Sequence, residues 1–62
     1  MTKVIIEIVF SHDDLGYYAT VIDHDGRDLH ATQVFYSVGQ AARAAREWTH
    51  HNDCLVTFTT TV

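Results

Sequence analysis

Apolar residues occupy both faces of the first predicted β-strand, which extends over residues 4–10. Side chains along a strand alternate between its two faces, so these residues divide into two sets. One set is Val4, Ile6, Ile8 and Phe10, and the other is Ile5, Glu7 and Val9. A strand that is largely apolar on both faces is typical of the interior of a sheet that is covered on both sides.

A hairpin is predicted from the Asp25-Gly26 dipeptide, which separates two further strands. The second strand covers residues 17–23, and the third extends from about Asp28 to Phe35. A type I′ turn needs positive φ at both central residues, a conformation that Asp tolerates and Gly adopts freely. The third strand has the weakest apolar alternation of the three, which places it near an edge of the sheet.

A helix is predicted to begin after Ser37 and to end near His50. Ser37 and Gln40 form a capping box, in which the Ser oxygen accepts a hydrogen bond from an unpaired helix N–H group. Helical spacing defines an apolar face of Val38, Ala41, Ala45 and Trp48, with Ala42 and Ala44 beside it. We expect Trp48 to supply most of the buried area of this face, and Asn52 to leave the helix in the left-handed conformation.

The last predicted strand extends from Cys54 to Val62, and regular alternation places Phe58 on the same face as Cys54 and Val56. The element order βββαβ predicts one α+β domain over residues 1–62. We expect a two-layer sandwich, with a mainly antiparallel sheet and one helix packed on one face. Alternating strand directions make the last strand parallel to the first, with which it can pair in its own chain or in a partner.

One face of this sheet has no predicted helix to cover it. In a simple hairpin register, Tyr18 and Ile22 of the second strand join Ile5 and Val9 of the first on that face. An apolar patch of this kind usually marks an interface, and two-fold packing of two copies buries it. We therefore predict a homodimer with Ile5, Val9, Tyr18 and Ile22 at or near the contact.

Composition narrows the range of partners. The chain has 62 residues, of which 47% are hydrophobic, and a formal charge of −4 from eight acidic and four basic residues. Direct binding of nucleic acid is not expected, because neutralising phosphates requires a basic patch. No run of about 18 apolar residues and no signal-peptide pattern is present, so we expect a cytoplasmic protein without membrane contact. The acidic charge suits ordinary solubility or a basic protein partner.

Residues with catalytic or metal-binding chemistry are few and scattered. The single cysteine, Cys54, excludes an internal disulfide and a Cys-rich zinc site. His12 and His24 lie in turns at opposite ends of the second strand, and the adjacent His50 and His51 point about 100° apart on a helix. We expect solvent-exposed histidines, no catalytic residue, no metal, no cofactor and no enzymatic activity.

Four aromatic residues are the remaining candidates for a binding role: Tyr17, Tyr18, Phe35 and Tyr36. Aromatic platforms that stack nucleic-acid bases are accompanied by a basic groove, which this composition does not supply. We therefore expect Tyr17 and Phe35 to pack in the core, and Tyr18 and Tyr36 to lie at an interface.

An aromatic strand, an Asp-Gly turn, an aromatic pair and an Ala-rich helix start follow one another along the chain. They are Tyr17-Tyr18-Ala19-Thr20-Val21, Asp25-Gly26-Arg27, Phe35-Tyr36 and residues 37–45. In this order they resemble the YegP-like family of small ββ(β)αβ domains of uncharacterised function, over roughly residues 4–60. Val38-Gly39-Gln40 stands where that family usually has Lys-Ala-Ser, and Arg27 where it usually has Glu. The resemblance implies homodimers or tandem copies, and no catalytic residues.

A weaker resemblance links Gly16-Tyr17-Tyr18 and the Ala-rich helix to HicB-type antitoxins, whose typical Pro-Gly-Cys turn is missing here. Two functions follow as hypotheses. The first is a small non-enzymatic homodimeric interaction module. The alternative is a small acidic protein inhibitor, of the phage anti-defence or antitoxin-like kind, that binds a larger protein or nucleoprotein machine.

Overall fold

The computed structural model describes residues 1–62, which form a four-stranded sheet with one helix packed against it. The elements are β1 (Thr2–Ser11), β2 (Gly16–Asp23), β3 (Asp28–Ala31), α1 (Val38–His51) and β4 (Cys54–Thr61). The strand order is β3-β2-β1-β4, so β3 and β4 are the edge strands. The predicted α+β class is confirmed. The sheet is mixed, because β2 is antiparallel to β1 and β3 whereas β4 is parallel to β1.

The hydrophobic core lies between α1 and one face of the sheet. Its buried members are Val4, Ile6, Ile8, Ala19, Val21, Ala41, Ala42 and Ala45. All three core residues that α1 contributes are alanines, whose small side chains let the helix backbone lie close to the strands. Tyr17 and Phe35 are partly buried against this core, as predicted. The helix has 14 residues and is neither long nor apolar enough to cross a membrane.

The structure confirms the predicted start of α1 but not the predicted conformation at its end. The N-cap is confirmed, because Ser37 has extended backbone and its Oγ accepts a hydrogen bond from the Gln40 N–H at 3.2 Å. At the other end, the expected left-handed Asn52 is wrong: its φ is −105°, and Asp53 has the positive φ of 56°. The Asn52 side chain donates to the Trp48 carbonyl at 2.8 Å, so the chain reverses one residue later.

Trp48 lies at the border of the core and is only half-buried. Its ring stacks on the half-buried His30 imidazole of β3, with centroids 4.8 Å apart and planes 5° from parallel. The expectation that all histidines are exposed is therefore wrong for His30. The buried positions of α1 are Ala41, Ala42, Ala45 and Thr49, and the Thr49 hydroxyl donates to the Arg46 carbonyl at 2.8 Å.

The β2–β3 turn has positive φ only at Gly26, so the predicted type I′ turn is wrong. The Gly26 N–H donates to the Asp23 carbonyl, and the Asp23 N–H donates to the Arg27 carbonyl, both at 3.0 Å. This is the pattern of a three-residue hairpin loop that closes with a glycine bulge. The Asp23 carboxylate holds the turn by accepting backbone hydrogen bonds from Asp25 and Arg27.

β3 is shorter than predicted, because it ends at Ala31 instead of continuing to Phe35. The Thr32 hydroxyl accepts a hydrogen bond from the Ala19 N–H at 2.9 Å, and so takes the place of a backbone partner. Pairing resumes only at the isolated bridge between Tyr17 and Phe35. The segment between β3 and α1 therefore follows the edge of β2 without extending the sheet.

Gly26→Ala is expected to lower the free energy of unfolding by about 1 kcal/mol. Gly26 has φ of +88°, and an added Cβ meets no atom within 4 Å, so the cost is backbone strain alone. Urea denaturation of the parent protein and of Gly26→Ala measures this loss of stability. Gly26→Asn is the control, because Asn tolerates the left-handed region and should cost less. Equal midpoints for Gly26→Ala and the parent protein would contradict the assigned turn.

A β-bulge interrupts the pairing of β4 with β1. The consecutive residues Val4 and Ile5 face Val56 and Phe58, so Thr57 is the extra residue. The Thr57 hydroxyl donates to the Val4 carbonyl at 3.1 Å and forms a second hydrogen bond with His24 Nε2 at 3.0 Å. The bulge overturns the predicted regular alternation of this strand: Val56 packs against the core, whereas Phe58 lies on the opposite face of the sheet.

Candidate functional site

The face of the sheet opposite α1 is covered by no other element, and we call it the open face. Ile5 lies opposite Ile22, and Val9 lies opposite Tyr18, across the β1–β2 pair. The register that the sequence predicts is thus confirmed, and these four side chains share the open face. All four are half-buried in the single chain, because neighbouring strands cover their flanks but nothing covers their tips.

An apolar row crosses the open face at the level of Ile5, with one side chain each from β4, β1 and β2. Phe58 of β4 pairs with Ile5, which pairs with Ile22 of β2. On β3 the partner of Ile22 is the exposed Asp28, and a register shift there leaves Leu29 as the extra residue, so the row ends at Ile22. Phe58 is 59% exposed. We call Phe58, Ile5 and Ile22 the apolar row.

Two oppositely charged residues of β1 flank the apolar row. Lys3, two residues before Ile5, lies opposite Leu55, and Glu7, two residues after it, lies between Thr20 and Thr60. Glu7 is half-buried, yet neither residue forms an ion pair within the chain. The ion pairs of the fold are both made by Arg27, with Asp23 and Asp25.

The open face is large enough for a protein contact. The principal extents of the fold are 33 × 20 × 15 Å. The longest of these matches a ten-residue strand at about 3.3 Å per residue. These outer dimensions allow a contact of the same order as the roughly 800 Å² of accessible surface that each partner contributes to a standard protein–protein interface.

A second exposed apolar group lies at the end of the β1–β2 hairpin, and we call it the hairpin-end cluster. It consists of Leu15, Val34 and Tyr36, which surround a shallow cleft beside Gly16. Leu15 is 75% exposed and has φ of 52°, which is unusual for a side chain of its size. Tyr36 is 93% exposed, and its expected place at an interface stays a prediction.

The most heavily bonded carboxylate of the fold is that of Asp23, at the end of β2. It accepts the Asp25 and Arg27 backbone N–H groups at 2.9 Å and the Arg27 Nε at 3.1 Å. The hydrogen bond from the Arg27 backbone lowers the pKa of Asp23 most; burial opposes it, and the Asp25 backbone and Arg27 guanidinium reinforce it. These bonds all serve the turn, so the geometry gives Asp23 a structural role.

Stability is expected to fall on acidification partly through Asp23. A carboxyl whose pKa is lower in the folded than in the unfolded chain stabilises the fold above its unfolded pKa of about 3.9. That contribution is lost as the pH falls through the lower, folded value. Asp23→Asn should therefore flatten the decline of the unfolding free energy between about pH 5 and pH 2. Urea denaturation across this range tests it, and an unchanged slope contradicts the assigned network.

The remaining polar residues are dispersed. No three His, Cys, Asp or Glu side chains come close enough together to hold a metal ion. His12 packs edge-on against Phe10, and His50 and His51 contact each other at the end of α1. Cys54 is a half-buried free thiol on the core side of β4. Ser37 serves as a helix cap.

The chain is an α+β domain with a four-stranded mixed sheet and a single packed helix. Comparison of the chain with protein-family models, with curated proteins and with solved structures found no match. The resemblance to the YegP-like family therefore stays a prediction.

Proposed function

We propose that this protein is a small non-enzymatic interaction module that acts as a homodimer, with the open face as the contact between its two copies. The observation that carries the proposal is the clustering of Ile5, Val9, Tyr18 and Ile22 on a sheet face that α1 leaves uncovered. Phe58 extends the same apolar surface onto β4. Apolar patches of this extent on small domains mark interaction sites.

A second copy of the chain is the occupant that suits this face. Across β1, β2 and β4 the face carries one positive and one negative residue, Lys3 and Glu7, among apolar and threonine side chains. A surface of this composition is complementary to itself, since each charge can meet the opposite charge of the other copy. Two-fold packing brings the same patch of both copies together and leaves no apolar face uncovered.

The absence of enzymatic activity is part of the proposal, and the roles of the polar groups support it. Ser37 caps α1, Asp23 organises a turn, and Thr49 bonds its own helix. Each of these side chains already has a structural partner. The module would act by presenting surfaces to other proteins.

The oligomeric state tests the proposal directly. Sedimentation equilibrium at micromolar concentration should give twice the 7.0 kDa mass of the chain. Val9→Asp should shift the protein to the monomer, because the new carboxylate would be desolvated in the contact. Gln40→Asp adds the same charge to an exposed position of α1 and should leave the dimer intact. A parent protein that sediments at 7.0 kDa would refute the homodimer.

A second candidate function, the small acidic inhibitor of a larger protein or nucleoprotein machine, is favoured by the hairpin-end cluster. Leu15 and Tyr36 protrude at the end of the β1–β2 hairpin, beside Asp13 and Asp14. Affinity purification from the source organism tests it. An inhibitor should recover one dominant protein at near-stoichiometric yield. That yield should fall with Tyr36→Ser and persist with Val9→Asp, whereas equal recovery by Tyr36→Ser argues against the cluster.

A further inference from the structure

We infer that the two copies pack open face to open face about a two-fold axis that follows the apolar row, so that Lys3 of each copy lies opposite Glu7 of the other. This inference rests on the proposed homodimer and specifies its register. It assigns to Lys3 and Glu7 the role of selecting one arrangement among those that apolar contact alone would allow.

The position of the axis follows from what a two-fold contact requires. Residues on the axis meet their own copies, so the axis must cross side chains that pack well against themselves. The apolar row meets this condition, because Phe58, Ile5 and Ile22 contribute uncharged side chains from β4, β1 and β2. Asp28, the β3 partner of Ile22, is exposed at the edge of the sheet. An axis at the level of Glu7 would instead place two carboxylates against each other, and like charges in direct opposition are destabilising.

The flanking residues then become complementary. A rotation of 180° about an axis along the apolar row makes the two β1 strands antiparallel. The residues that precede Ile5 in one copy then face the residues that follow Ile5 in the other. Lys3 of one copy is brought over Glu7 of the other, twice by symmetry. Packed sheets lie about 10 Å apart, a gap that two long, facing side chains such as Lys and Glu can span. The half-buried Glu7, which has no ion-pair partner in its own chain, thereby gains one.

Cross-linking tests this arrangement without any substitution. Lys3 is the single lysine of the chain, so an amide between a lysine and Glu7 has one possible donor. A zero-length carbodiimide reagent is applied to a mixture of ¹⁵N-labelled and unlabelled protein, and the peptides are analysed by mass spectrometry. A Lys3–Glu7 peptide pair of mixed isotope content is expected. Links that join only peptides of the same isotope content would overturn the inference.

Charge reversal tests it independently. Lys3→Glu or Glu7→Lys alone creates two like-charged contacts and should raise the dimer Kd by roughly tenfold or more. The double variant Lys3→Glu/Glu7→Lys restores opposite charges and should return the Kd to within about threefold of the parent value. Far-UV circular dichroism checks that each variant is folded. If a variant is not folded, the cross-linking of the parent protein decides whether Lys3 lies opposite Glu7.

The outcomes separate this inference from the proposed function. A dimer that Val9→Asp disrupts but charge reversal leaves unchanged overturns the axis at the apolar row and keeps the open face as the contact. A dimer insensitive to both kinds of variant, as pairing through the free edge of β4 would give, overturns both proposals. The inference is supported when single reversals weaken the dimer and the double reversal restores it.

Discussion

Ile6→Ala is expected to lower the free energy of unfolding by about 4 kcal/mol, which should leave much of the protein unfolded at room temperature. Ile6 is fully buried on β1 at the centre of the core, between the other β1 core residues and the alanines of α1. Removing three carbon atoms there leaves a cavity that a sheet packed against a short helix cannot close. On a per-residue scale, a domain of this size is stable by only about 3–9 kcal/mol.

The matched control is Ile5→Ala, which makes the same change one residue away on the open face. Ile5 is half-buried in the single chain, so its loss should cost the monomer about 1 kcal/mol. Both variants are compared by urea denaturation at low protein concentration, where dimer formation contributes least. Similar losses for the two variants would mean that the helix does not cover the face to which Ile6 belongs.

Gly16→Ala is expected to destabilise the fold by about 3 kcal/mol, and by more if the chain cannot relax. An added Cβ would lie 2.5 Å from Val34 Cγ1 and 2.6 Å from the Phe35 carbonyl oxygen. The Val34 side chain can rotate, but the Phe35 carbonyl cannot move freely, because its oxygen accepts a hydrogen bond from the Tyr17 N–H at 2.7 Å. The substitution therefore separates the hairpin end from the segment that leads into α1.

Gly39→Ala is the control for this prediction. Gly39 lies in the first turn of α1, where an added Cβ meets no atom within 4 Å. Alanine there should raise stability by about 0.5 kcal/mol, since it lowers the entropy of the unfolded chain. Thermal unfolding followed by circular dichroism distinguishes the two variants. A Gly16→Ala protein as stable as Gly39→Ala would contradict the close approach of Phe35 to β2.

The parts of the fold that follow from local periodicity were predictable. The alternation in β1, the Ser37 cap and the helical spacing of the alanines each depend on neighbouring residues, and the structure has them where the sequence places them. The antiparallel pairing of β1 with β2 and of β2 with β3 also followed, because short connections join strands that are neighbours in the sheet. The sequence left open whether β4 pairs with β1 in its own chain or in a partner, and the structure pairs the two strands within the chain. The four open-face residues were identified for the same reason: a single hairpin register decides their side.

The predictions that were wrong concern features that depend on contacts between distant segments of the chain. The bulge at Thr57 requires the Val4 carbonyl and the His24 ring, which are far away along the chain. Nothing in the residues around Phe58 signals the bulge, so regular alternation places that ring on the same face as Cys54 and Val56. β3 ended early because Thr32 bonds β2 through its side chain. The hairpin-end Leu15, with its positive φ, likewise has no sequence signal, since glycine or asparagine usually takes that conformation.

The bulge at Thr57 should also lower the tendency of the β4 edge to aggregate. β4 is an edge strand without charge or proline from Cys54 onward, and such strands are templates on which further chains add to form fibrils. A bulge bends its strand and increases the local twist, so the free edge is no longer a flat row of hydrogen-bonding groups. In this small domain, the residue that turns Phe58 outward should also make the exposed edge a poor template for cross-β growth.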